Sequence, residues 1–451
     1  MDNRTYHLTT FGCQMNEHDS ERIRGVLEAG GWLEAPDEES ARLLVFNTCS
    51  VRESAESRLI GRLGEARRLK GEDPGRIVAL GGCFAQSRQE AILDELRFLD
   101  VAFGPRNIGE LPELVEAAAK SGRQASSFVD EPGSVASLPS ARRGSHHAWV
   151  QVMTGCTNYC SYCIVPYVRG EERSREAQEI LAEVERLVDE GVVEVTLLGQ
   201  NVNAYGLDRS GPGSADFAGL LEMLDAVKGL RRIRFTTSHP RDLGQDLVEA
   251  MRDLESVCEH LHLPAQSGST RILERMNRGY TAAHYLGLVS RFYDKVPGAS
   301  LTTDLIVGFP AEKEDDFFAT LSLVEQCRFD SAFTFIYSPR EGTAAAEMPG
   351  QVPDVTRKRR MGELVALVQR IALEKNESMA GSEVEVLVEG RSRQGGGQFR
   401  GRTRSNKIVN FAPAGPGEPT AGDFVQVRVA SVTSTTMKGV QAPAHPGPAR
   451  D

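Results

Sequence analysis

The chain of 451 residues lacks any apolar run near the length of about 20 residues that crosses a bilayer. Residues 1–7 also contain no apolar core of the kind that a secretory signal requires. These two absences argue against a membrane or secreted protein and favour a cytoplasmic location. Thiols in that compartment stay reduced, so the 8 cysteines are available as metal ligands.

An excess of positive charge is also absent, because the formal net charge at pH 7 is −11. Any contact with nucleic acid must therefore come from local basic patches. Hydrophobic residues make up 40% of the chain and charged residues 25%, which is ordinary for a globular protein. The length allows about two to four domains.

A fourth ligand is missing from the most informative stretch of the chain. Cys156, Cys160 and Cys163 lie close together, and no further Cys or His is near enough to complete a closed tetrahedral zinc site. Three thiolates suit a [4Fe–4S] cluster in which one iron has no protein ligand and can bind a substrate or cofactor. The alternatives are a zinc knuckle or three cysteines packed in a core.

Cys13, Cys49 and Cys83 each follow a predicted strand in the first part of the chain. The carboxyl ends of parallel strands form the ligand-binding edge of open α/β sheets, so these thiols are expected to meet in a second three-thiol metal site. The alternative is that small thiols pack well at strand ends. The expected fold of this part is a doubly wound parallel α/β sheet, with strands at residues 5–11, 43–48 and 76–80 and helices at about 17–28, 53–69 and 89–97.

Six strand-and-helix units follow residue 148, which is fewer than the eight of a closed barrel and favours an open (βα)6 partial barrel. Chemistry in parallel barrels takes place at the carboxyl ends of the strands. Polar and glycine-containing clusters follow the predicted strands here, including residues 199–201, 236–240 and 308–310.

Short predicted strands at residues 384–388, 407–411 and 423–429 indicate a small β-barrel. Residues 378–440 contain eight Lys or Arg against five Asp or Glu, so this module is basic within an acidic protein. A small basic β-barrel is typical of RNA binding. The predicted RNA-binding residues are Arg400, Arg402, Arg404 and Lys407.

The predicted domain order follows from these segments. It is an N-terminal α/β domain over residues 1–120, a linker rich in Ser, Gly, Pro and Arg over 121–147, a partial barrel over 148–376, a β-barrel over 377–441 and a disordered tail over 442–451.

The sequence resembles the radical S-adenosylmethionine (SAM) methylthiotransferase family over nearly its whole length. Residues 156–163 fit the pattern C-x3-C-x-aromatic-C of radical SAM enzymes, with Tyr162 as the aromatic residue. The further stretches that carry the resemblance are Gly12-Cys13-Gln14-Met15-Asn16, Asn47-Thr48-Cys49-Ser50-Val51-Arg52-Glu53, Val165-Pro166-Tyr167-Val168-Arg169-Gly170, Leu198-Gly199-Gln200-Asn201-Val202-Asn203 and Thr237-Ser238-His239-Pro240.

The resemblance implies three domains, of which the last is a TRAM barrel, and two [4Fe–4S] clusters. Cys156, Cys160 and Cys163 would hold the radical SAM cluster, and Cys13, Cys49 and Cys83 would hold an auxiliary cluster. One SAM molecule in each turnover would yield a 5′-deoxyadenosyl radical, and a second would methylate a sulfur carried by the auxiliary cluster. The implied SAM contacts are Gly199, Gln200, Asn201, Ser238, Asp304, Gly308 and Phe309.

The implied activity is conversion of N6-isopentenyladenosine beside the anticodon of tRNA to its 2-methylthio derivative, a branch that Gln14-Met15 and residues 50–53 favour. The alternatives are the branches that modify threonylcarbamoyl-adenosine in tRNA or an aspartate of a ribosomal protein. A non-catalytic metal-cluster RNA-binding protein is an alternative from another class. A cobalamin-binding N-terminal domain is disfavoured because no D-x-H-x-x-G motif is found there.

The implied partners are a tRNA that carries isopentenyladenosine and a low-potential electron donor, either a flavodoxin or a ferredoxin. No membrane partner is expected, and the protein is expected to be a monomer.

Overall fold

The structure, a computed structural model, describes residues 4–49, 53–128, 135–209, 215–393, 395–414 and 417–443. Three features discussed above lie partly outside these ranges: residues 50–52 of the second family stretch, residues 129–134 of the predicted linker and residues 444–451 of the predicted tail. The chain divides into a first unit, residues 1–143, 153–159 and 163–173, and a second unit, residues 144–152, 160–162 and 174–451.

The first unit contains a six-stranded, wholly parallel sheet in the order β2-β1-β3-β4-β5-β6. Its strands are β1 (Thr5–Phe11), β2 (Leu33–Glu34), β3 (Leu43–Thr48), β4 (Ile77–Gly82), β5 (Val101–Phe103) and β6 (Ala125–Ser127). Its larger helices are α1 (Gln14–Ala29), α2 (Glu53–Glu72), α3 (Cys83–Arg88), α4 (Ala91–Glu95) and α5 (Leu111–Ser121).

Both faces of this sheet are covered, as the continuous burial of β3 requires. Leu44 and Phe46 join one apolar cluster with side chains from α2 and α4. Leu43 and Val45 point the other way and join a second cluster with side chains from α1 and α5. Successive residues of β3 thus pack into apolar cores on opposite faces of the sheet. The expected doubly wound α/β architecture is confirmed.

Two elements of the first unit differ from the sequence-based expectation. Only residues 91–95 of the helix predicted over 89–97 are helical, as α4, and a further short helix that was not expected, α3, precedes Gln89, whose φ is +49°. The predicted linker includes a sheet strand, β6, whose Ala and Ser residues carry little strand signal.

The second unit contains six parallel strands in the two sheets β11-β10-β7 and β12-β13-β14. A parallel bridge pairs Ile233 of β11 with Val257, which lies three residues before β12. The six strands form the expected open (βα)6 partial barrel. The elements in this part of the chain are β7 (His147–Gln151), β8 (Met153–Thr154), α6 (Val165–Arg169), β9 (Arg173–Ser174), α7 (Ala177–Asp189), β10 (Glu194–Leu198), α8 (Phe217–Asp225), β11 (Arg232–Thr236), α9 (Gln245–Asp253), β12 (His260–His262), α10 (Thr270–Arg275), α11 (Ala282–Lys295), β13 (Ser300–Val307), α12 (Glu314–Cys327), β14 (Ser331–Ile336) and α13 (Asp354–Glu377).

The last five strands form the closed barrel β15-β16-β17-β19-β18. They are β15 (Glu383–Arg391), β16 (Phe399–Arg402), β17 (Ile408–Ala412), β18 (Phe424–Val432) and β19 (Thr436–Gln441). Three of the five match the strands expected from the sequence. The other two, β16 and β19, are short and contain Gly and charged residues, so they give no clear alternating pattern.

Two buried arginines of β11 attach this barrel to the rest of the second unit. Arg232 donates from Nη1 to the Arg402 carbonyl at 2.9 Å and from Nη2 to Glu385 Oε1 at 2.7 Å. Arg234 donates to the Thr403 carbonyl at 2.7 Å. The barrel is therefore fixed by charge-assisted bonds to its main chain. Among the described residues, no helix is both long and apolar enough to span a membrane.

Replacing Phe411, which is fully buried in the barrel core and packs on Phe399, by alanine should leave a cavity. We expect Phe411→Ala to lower the free energy of unfolding of the barrel by about 3–5 kcal/mol. Urea-dependent hydrogen–deuterium exchange of β15–β19 in the full chain measures this. The matched control is Val440→Ala on the exposed face of β19, where Val440 is 50% exposed. An equal loss of unfolding free energy in both variants would contradict the assignment of Phe411 to the barrel core.

Candidate metal centres

The first three-thiol set lies at one edge of the sheet in the first unit. Strands β1, β3 and β4 are neighbours, and their last residues are paired in register. Cys49 and Cys83 directly follow β3 and β4, and Cys13 follows β1 after one glycine. The strand register thus brings together three thiols that are far apart in sequence.

Two glycines permit the close approach of main chain and thiols at this edge. Gly12 has a φ of +153°, and a Cβ added there would lie 2.7 Å from the Cβ of Cys49. Gly82, just before Cys83, has a φ of +93°, and an added Cβ would collide with the main chain of Thr48. A side chain at either position would force the strand ends apart.

A buried pair of asparagines fixes the turn that carries Cys13. Asn47 donates from Nδ2 to the Asn16 carbonyl and to Ser20 Oγ, both at 2.9 Å. Asn16 Oδ1 in turn accepts from the Cys13 N–H at 3.3 Å and lies 3.4 Å from Cys13 Sγ. One network therefore holds Cys13, which caps α1, and the end of the strand that precedes Cys49.

Two thiols of this set, Cys13 and Cys83, have shifted pKa values. A hydrogen bond with Cys49 lowers the pKa of Cys13 to about 6 against the effect of burial, and the positive charge of Arg169 adds to the lowering. Burial raises the pKa of Cys83, and Arg169 opposes that rise. The thiolate is the form that binds metal, so at neutral pH Cys13 is already in the form that a cluster needs.

Arg169 is the buried cation of this edge. Its Nε donates to Cys83 Sγ at 3.3 Å and its Nη2 to Asp19 Oδ2 at 2.6 Å. Burial disfavours the charged guanidinium, but Asp19 and Cys83 outweigh that effect and hold the pKa of Arg169 well above its ordinary value. Asp19 and Arg169 are thus both kept ionised beside the thiols.

The second set divides between the two units, with Cys156 and Cys163 in the first and Cys160 in the second. Within the first unit, the Cys156 N–H donates to the Gly170 carbonyl at 3.0 Å, and Cys156 Sγ accepts from Asn158 Nδ2 at 3.4 Å. These bonds fix the position of Cys156 from both its main chain and its sulfur.

Within the second unit, the buried Cys160 accepts a hydrogen bond from Arg278, whose Nη1 lies 3.3 Å from Cys160 Sγ. The following Ser161 is fixed by bonds from its N–H to the Met276 carbonyl at 3.0 Å and from its Oγ to the Arg275 carbonyl at 2.9 Å. Tyr162 packs against an apolar cluster of the barrel.

The donor chemistry of the first set suits an iron–sulfur cluster. Its three thiols follow neighbouring strand ends, and the buried Arg169 donates to one of them. Each thiolate of a cubane cluster binds a different iron, and a positive charge beside the thiolates suits such an anionic group. Among the described residues, no group of three or more His, Cys, Asp or Glu side chains is arranged to hold a single metal ion.

The predicted SAM contacts on β10 and β11 lie at adjacent strand ends. Gly199, Gln200 and Asn201 follow β10, and Ser238 follows β11. The Ser238 hydroxyl is buried and has no hydrogen-bond partner among the described residues, which suits a group that binds a ligand. Asn201 is partly engaged, since its Nδ2 donates to Asp242 Oδ2 at 2.8 Å.

The predicted contacts on β13 have different environments. Asp304 is partly exposed, and its Oδ1 lies 3.6 Å from His262 Nε2. The Gly308 N–H donates to the Glu312 carboxylate at 3.1 Å. Phe309 is fully buried in the apolar cluster that contacts Tyr162, so its position is that of a packing residue.

Two of the predicted RNA-binding residues, Arg400 and Arg402, form ion pairs with the same carboxylate on the barrel. Arg400 Nε donates to Glu389 Oε2 at 3.1 Å, and Arg402 Nε donates to Glu389 Oε1 at 2.6 Å. One carboxylate therefore neutralises part of the charge of both arginines.

The other two predicted RNA-binding residues bind within the second unit. Arg404 donates to Glu259 Oε1 at 2.8 Å, and Lys407 Nζ lies 2.8 Å from Asp330 Oδ1 with only 12% of its side chain exposed. Their contacts join the barrel to the strands around β12 and β14, a structural role that composition does not reveal.

Sequence reasoning missed Asp19, Arg169 and Arg278. Arg169 lies within a family stretch that was recognised, but nothing in one sequence pairs it with Cys83. Asp19 and Arg278 had no signal, because charged residues on helices and turns are normally exposed.

Three family descriptions match successive parts of the chain. The uncharacterized protein family UPF0004 matches residues 5–104, the radical SAM superfamily matches residues 150–324, and the TRAM domain matches residues 377–440.

Curated relatives named tRNA-2-methylthio-N(6)-dimethylallyladenosine synthase match nearly the whole chain. The one from Caldicellulosiruptor saccharolyticus is 50% identical over 90% of this chain and 87% of its own length. The one from Carboxydothermus hydrogenoformans is 47% identical over 98% of this chain and 100% of its own length. The chain belongs to this synthase family. The expected relationship to the radical SAM methylthiotransferases is thereby confirmed.

Solved structures support the fold of this family member. The radical S-adenosylmethionine methyltransferase TsrM from Kitasatospora setae, with cobalamin and a [4Fe-4S] cluster bound, has a TM-score of 0.54 at 14% identity, over 82% of this chain and 89% of that one. The cobalamin-dependent S-adenosylmethionine radical enzyme OxsB, with aqua-cobalamin and S-adenosylmethionine bound, has a TM-score of 0.51 at 11% identity, over 82% of this chain and 56% of that one.

Gly12 and Gly82, which lie beside cysteines of the first set, provide a direct test of cluster assembly. We expect Gly12→Ala and Gly82→Ala to block one cluster, so that iron in the anaerobically reconstituted protein falls from about eight to about four atoms per chain. Iron analysis and the charge-transfer absorption measure this. The control is Gly64→Ala, because an added Cβ at Gly64 meets nothing within 4 Å; iron content unchanged in all three variants would contradict the assignment.

Proposed function

We propose that this protein is a tRNA methylthiotransferase that converts N6-isopentenyladenosine beside the anticodon to its 2-methylthio derivative. The observation that carries the proposal is the similarity, over 98% of this chain, to a synthase named for that product. A match of this extent spans the segments that contain both three-thiol sets, the partial barrel and the C-terminal barrel.

The reaction explains why the chain needs thiols rather than a general base. The C–H bond at carbon 2 of adenine is neither acidic nor electrophilic, so no side chain can break it by proton transfer. Membership of the radical SAM superfamily indicates an iron–sulfur cluster and SAM. When bound, these groups supply the radical chemistry, the sulfur and the methyl group.

The work of this chain's own residues is to hold and shield those groups. In this proposal Cys156, Cys160 and Cys163 hold one cluster. The set at the edge of the first unit, Cys13, Cys49 and Cys83, holds a second. Ser238 and Asp304, with the residues that follow β10, bind SAM at the mouth of the partial barrel. Burial of Cys49, Cys83 and Cys160 keeps solvent from the ligating sulfurs.

The proposal extends to partners and organisation. The substrate is a tRNA carrying isopentenyladenosine, which places the protein in the cytoplasm, and the electrons come from a flavodoxin or ferredoxin. The protein acts as a monomer. Its domains are residues 1–120, 148–376 and 377–441, limits that the matches to residues 5–104, 150–324 and 377–440 support.

Single thiol substitutions separate the roles of the two sets. Cys160→Ala should abolish 5′-deoxyadenosine formation, because the radical SAM cluster loses a ligand. Cys49→Ala should retain 5′-deoxyadenosine formation but stop methylthiolation, because only the auxiliary cluster is lost. Chromatography of 5′-deoxyadenosine and mass spectrometry of tRNA nucleosides measure the two products.

The control is Cys327→Ala, since Cys327 is a buried thiol of α12 outside both sets; it should retain both products. Loss of the same single product in Cys160→Ala and Cys49→Ala would contradict the two-site assignment. Methylthiolation of threonylcarbamoyl-adenosine instead of isopentenyladenosine would contradict the proposed substrate.

Exposed cations of the barrel should carry the contact with tRNA, because Arg404 and Lys407 are engaged within the protein. Arg428 on β18 is 69% exposed, although its Nη2 donates to Glu383 Oε1 at 2.8 Å, and Lys438 on β19 is also exposed. We expect Arg428→Ala and Lys438→Ala each to weaken tRNA binding and to reduce the slope of log K against log salt by about 1. Filter binding over a salt series measures this.

The control for tRNA binding is Lys120→Ala on α5, because Lys120 is 80% exposed and belongs to the first unit. A salt slope unchanged in both barrel variants would show that this face does not contact phosphate.

A further inference from the structure

We propose that Arg169 and Arg278 are positioning residues that raise the reduction potentials of the two clusters by unequal amounts. Each arginine donates a hydrogen bond to a cysteine sulfur, but among the residues with described positions only Arg169 has a buried carboxylate as its partner. The inference rests on the proposed function only in that the thiols must hold iron–sulfur clusters.

Arg278 presents an almost uncompensated positive charge to Cys160. Its side chain is buried, and its three nitrogens donate to Cys160 Sγ at 3.3 Å, the Pro264 carbonyl at 3.0 Å and Tyr280 Oη at 3.1 Å. In the part of the chain that the structure describes, no carboxylate forms an ion pair with Arg278. A thiolate of Cys160 that binds a cluster would therefore be the main negative charge beside this guanidinium.

The position of Arg278 is fixed by neutral groups around it. Tyr280 Oη itself donates to the Pro264 and Ala265 carbonyls at 3.2 and 3.0 Å, and the Arg278 guanidinium lies 5.3 Å from the Tyr280 ring centroid. These contacts hold the guanidinium beside the sulfur.

Arg169 makes the corresponding bond to Cys83, but as half of an ion pair. Its Nε lies 3.3 Å from Cys83 Sγ and its Nη2 lies 2.6 Å from Asp19 Oδ2, and both side chains of the pair are buried. The negative charge of Asp19 offsets part of the effect of Arg169 at the Cys83 sulfur. Arg169 thus supplies a hydrogen bond with a smaller net positive field than an unpaired arginine would.

A one-electron reduction places an additional negative charge on a cluster. A buried positive charge beside a ligating sulfur stabilises the reduced form, because Coulomb interactions are strong where water is excluded. Net charge and hydrogen bonds to sulfur are among the factors that set cluster potentials. Arg278 should therefore raise the potential of its cluster more than Arg169 raises that of the other.

The test measures midpoint potentials by EPR-monitored titration with dithionite in the full-length protein. One background has Cys13, Cys49 and Cys83 replaced by alanine, so that only the Cys156, Cys160 and Cys163 cluster is observed. The other background has the reverse replacements. No tRNA is present, so the potentials do not depend on the identity of the substrate.

In the first background, Arg278→Gln should make reduction about tenfold less favourable, which is about 59 mV for a one-electron couple. Arg278→Lys keeps the charge and should restore most of that shift. The control is Arg291→Gln on the exposed face of α11.

In the second background, Arg169→Gln should lower the potential by less than Arg278→Gln does. Asp19→Asn, which removes the compensating charge but keeps the shape, should raise it. Opposite shifts in these two variants are a result that a purely structural role of the pair does not produce. The control is Arg173→Gln, an exposed position on β9.

Three outcomes overturn this inference. If the midpoint potentials of the variants do not shift while their iron content is full, the guanidinium charges do not affect the clusters. A downward shift in Asp19→Asn shows that the pair acts only through packing. Loss of iron in the Lys and Gln variants alike shows that the arginines are structural. Absence of iron in the unmodified protein would instead overturn the proposed function and this inference together.

Discussion

The alignment of three neighbouring strand ends is the constraint on which the first cysteine set depends. Parallel strands paired in register end at one level, so the residues that follow β1, β3 and β4 meet although they are far apart in sequence. The same register requires glycine at Gly12 and Gly82, because a Cβ at either position would lie against the neighbouring strand end. The strand register that forms the sheet therefore also places the three thiols. A shift in register would separate the thiols as well as change the strand pairing.

Buried charge is the second recurring feature. Removing a charged group from water costs free energy, so each buried charge here has specific partners. A guanidinium away from water is tolerated only when it is paired or fully hydrogen-bonded. Arg169 meets this condition with Asp19 and Cys83, and Arg278 meets it with carbonyl oxygens, Tyr280 and Cys160. The thiols are thus part of the electrostatic balance of the folded chain.

The barrel shows how the same kind of residue serves two purposes. The basic character of residues 378–440 indicated RNA binding, yet Arg404 and Lys407 bind Glu259 and Asp330 within the second unit. Exposed cations such as Lys438 are left to contact a polyanion. Charge counted along a sequence does not distinguish these two classes, because the difference lies in which carboxylates the fold brings near.

The sequence by itself determined the architecture and named the candidate ligating residues. Alternating strands and helices predicted the doubly wound sheet and the six-stranded partial barrel, and Cys spacing predicted both thiol sets, because these signals repeat along the chain with the period of the secondary structure. The strands β6, β16 and β19 were missed because their Ala, Ser, Gly and charged residues carry little strand signal, and the helix expected over residues 89–97 is shorter, since only Ala91–Glu95 is helical. Only the tertiary structure decided that Asp19 and Arg169 meet at Cys83, that Arg278 reaches Cys160 and that Phe309 is buried. Those contacts join residues on different elements, and only the packing of those elements determines which side chains come within bonding distance.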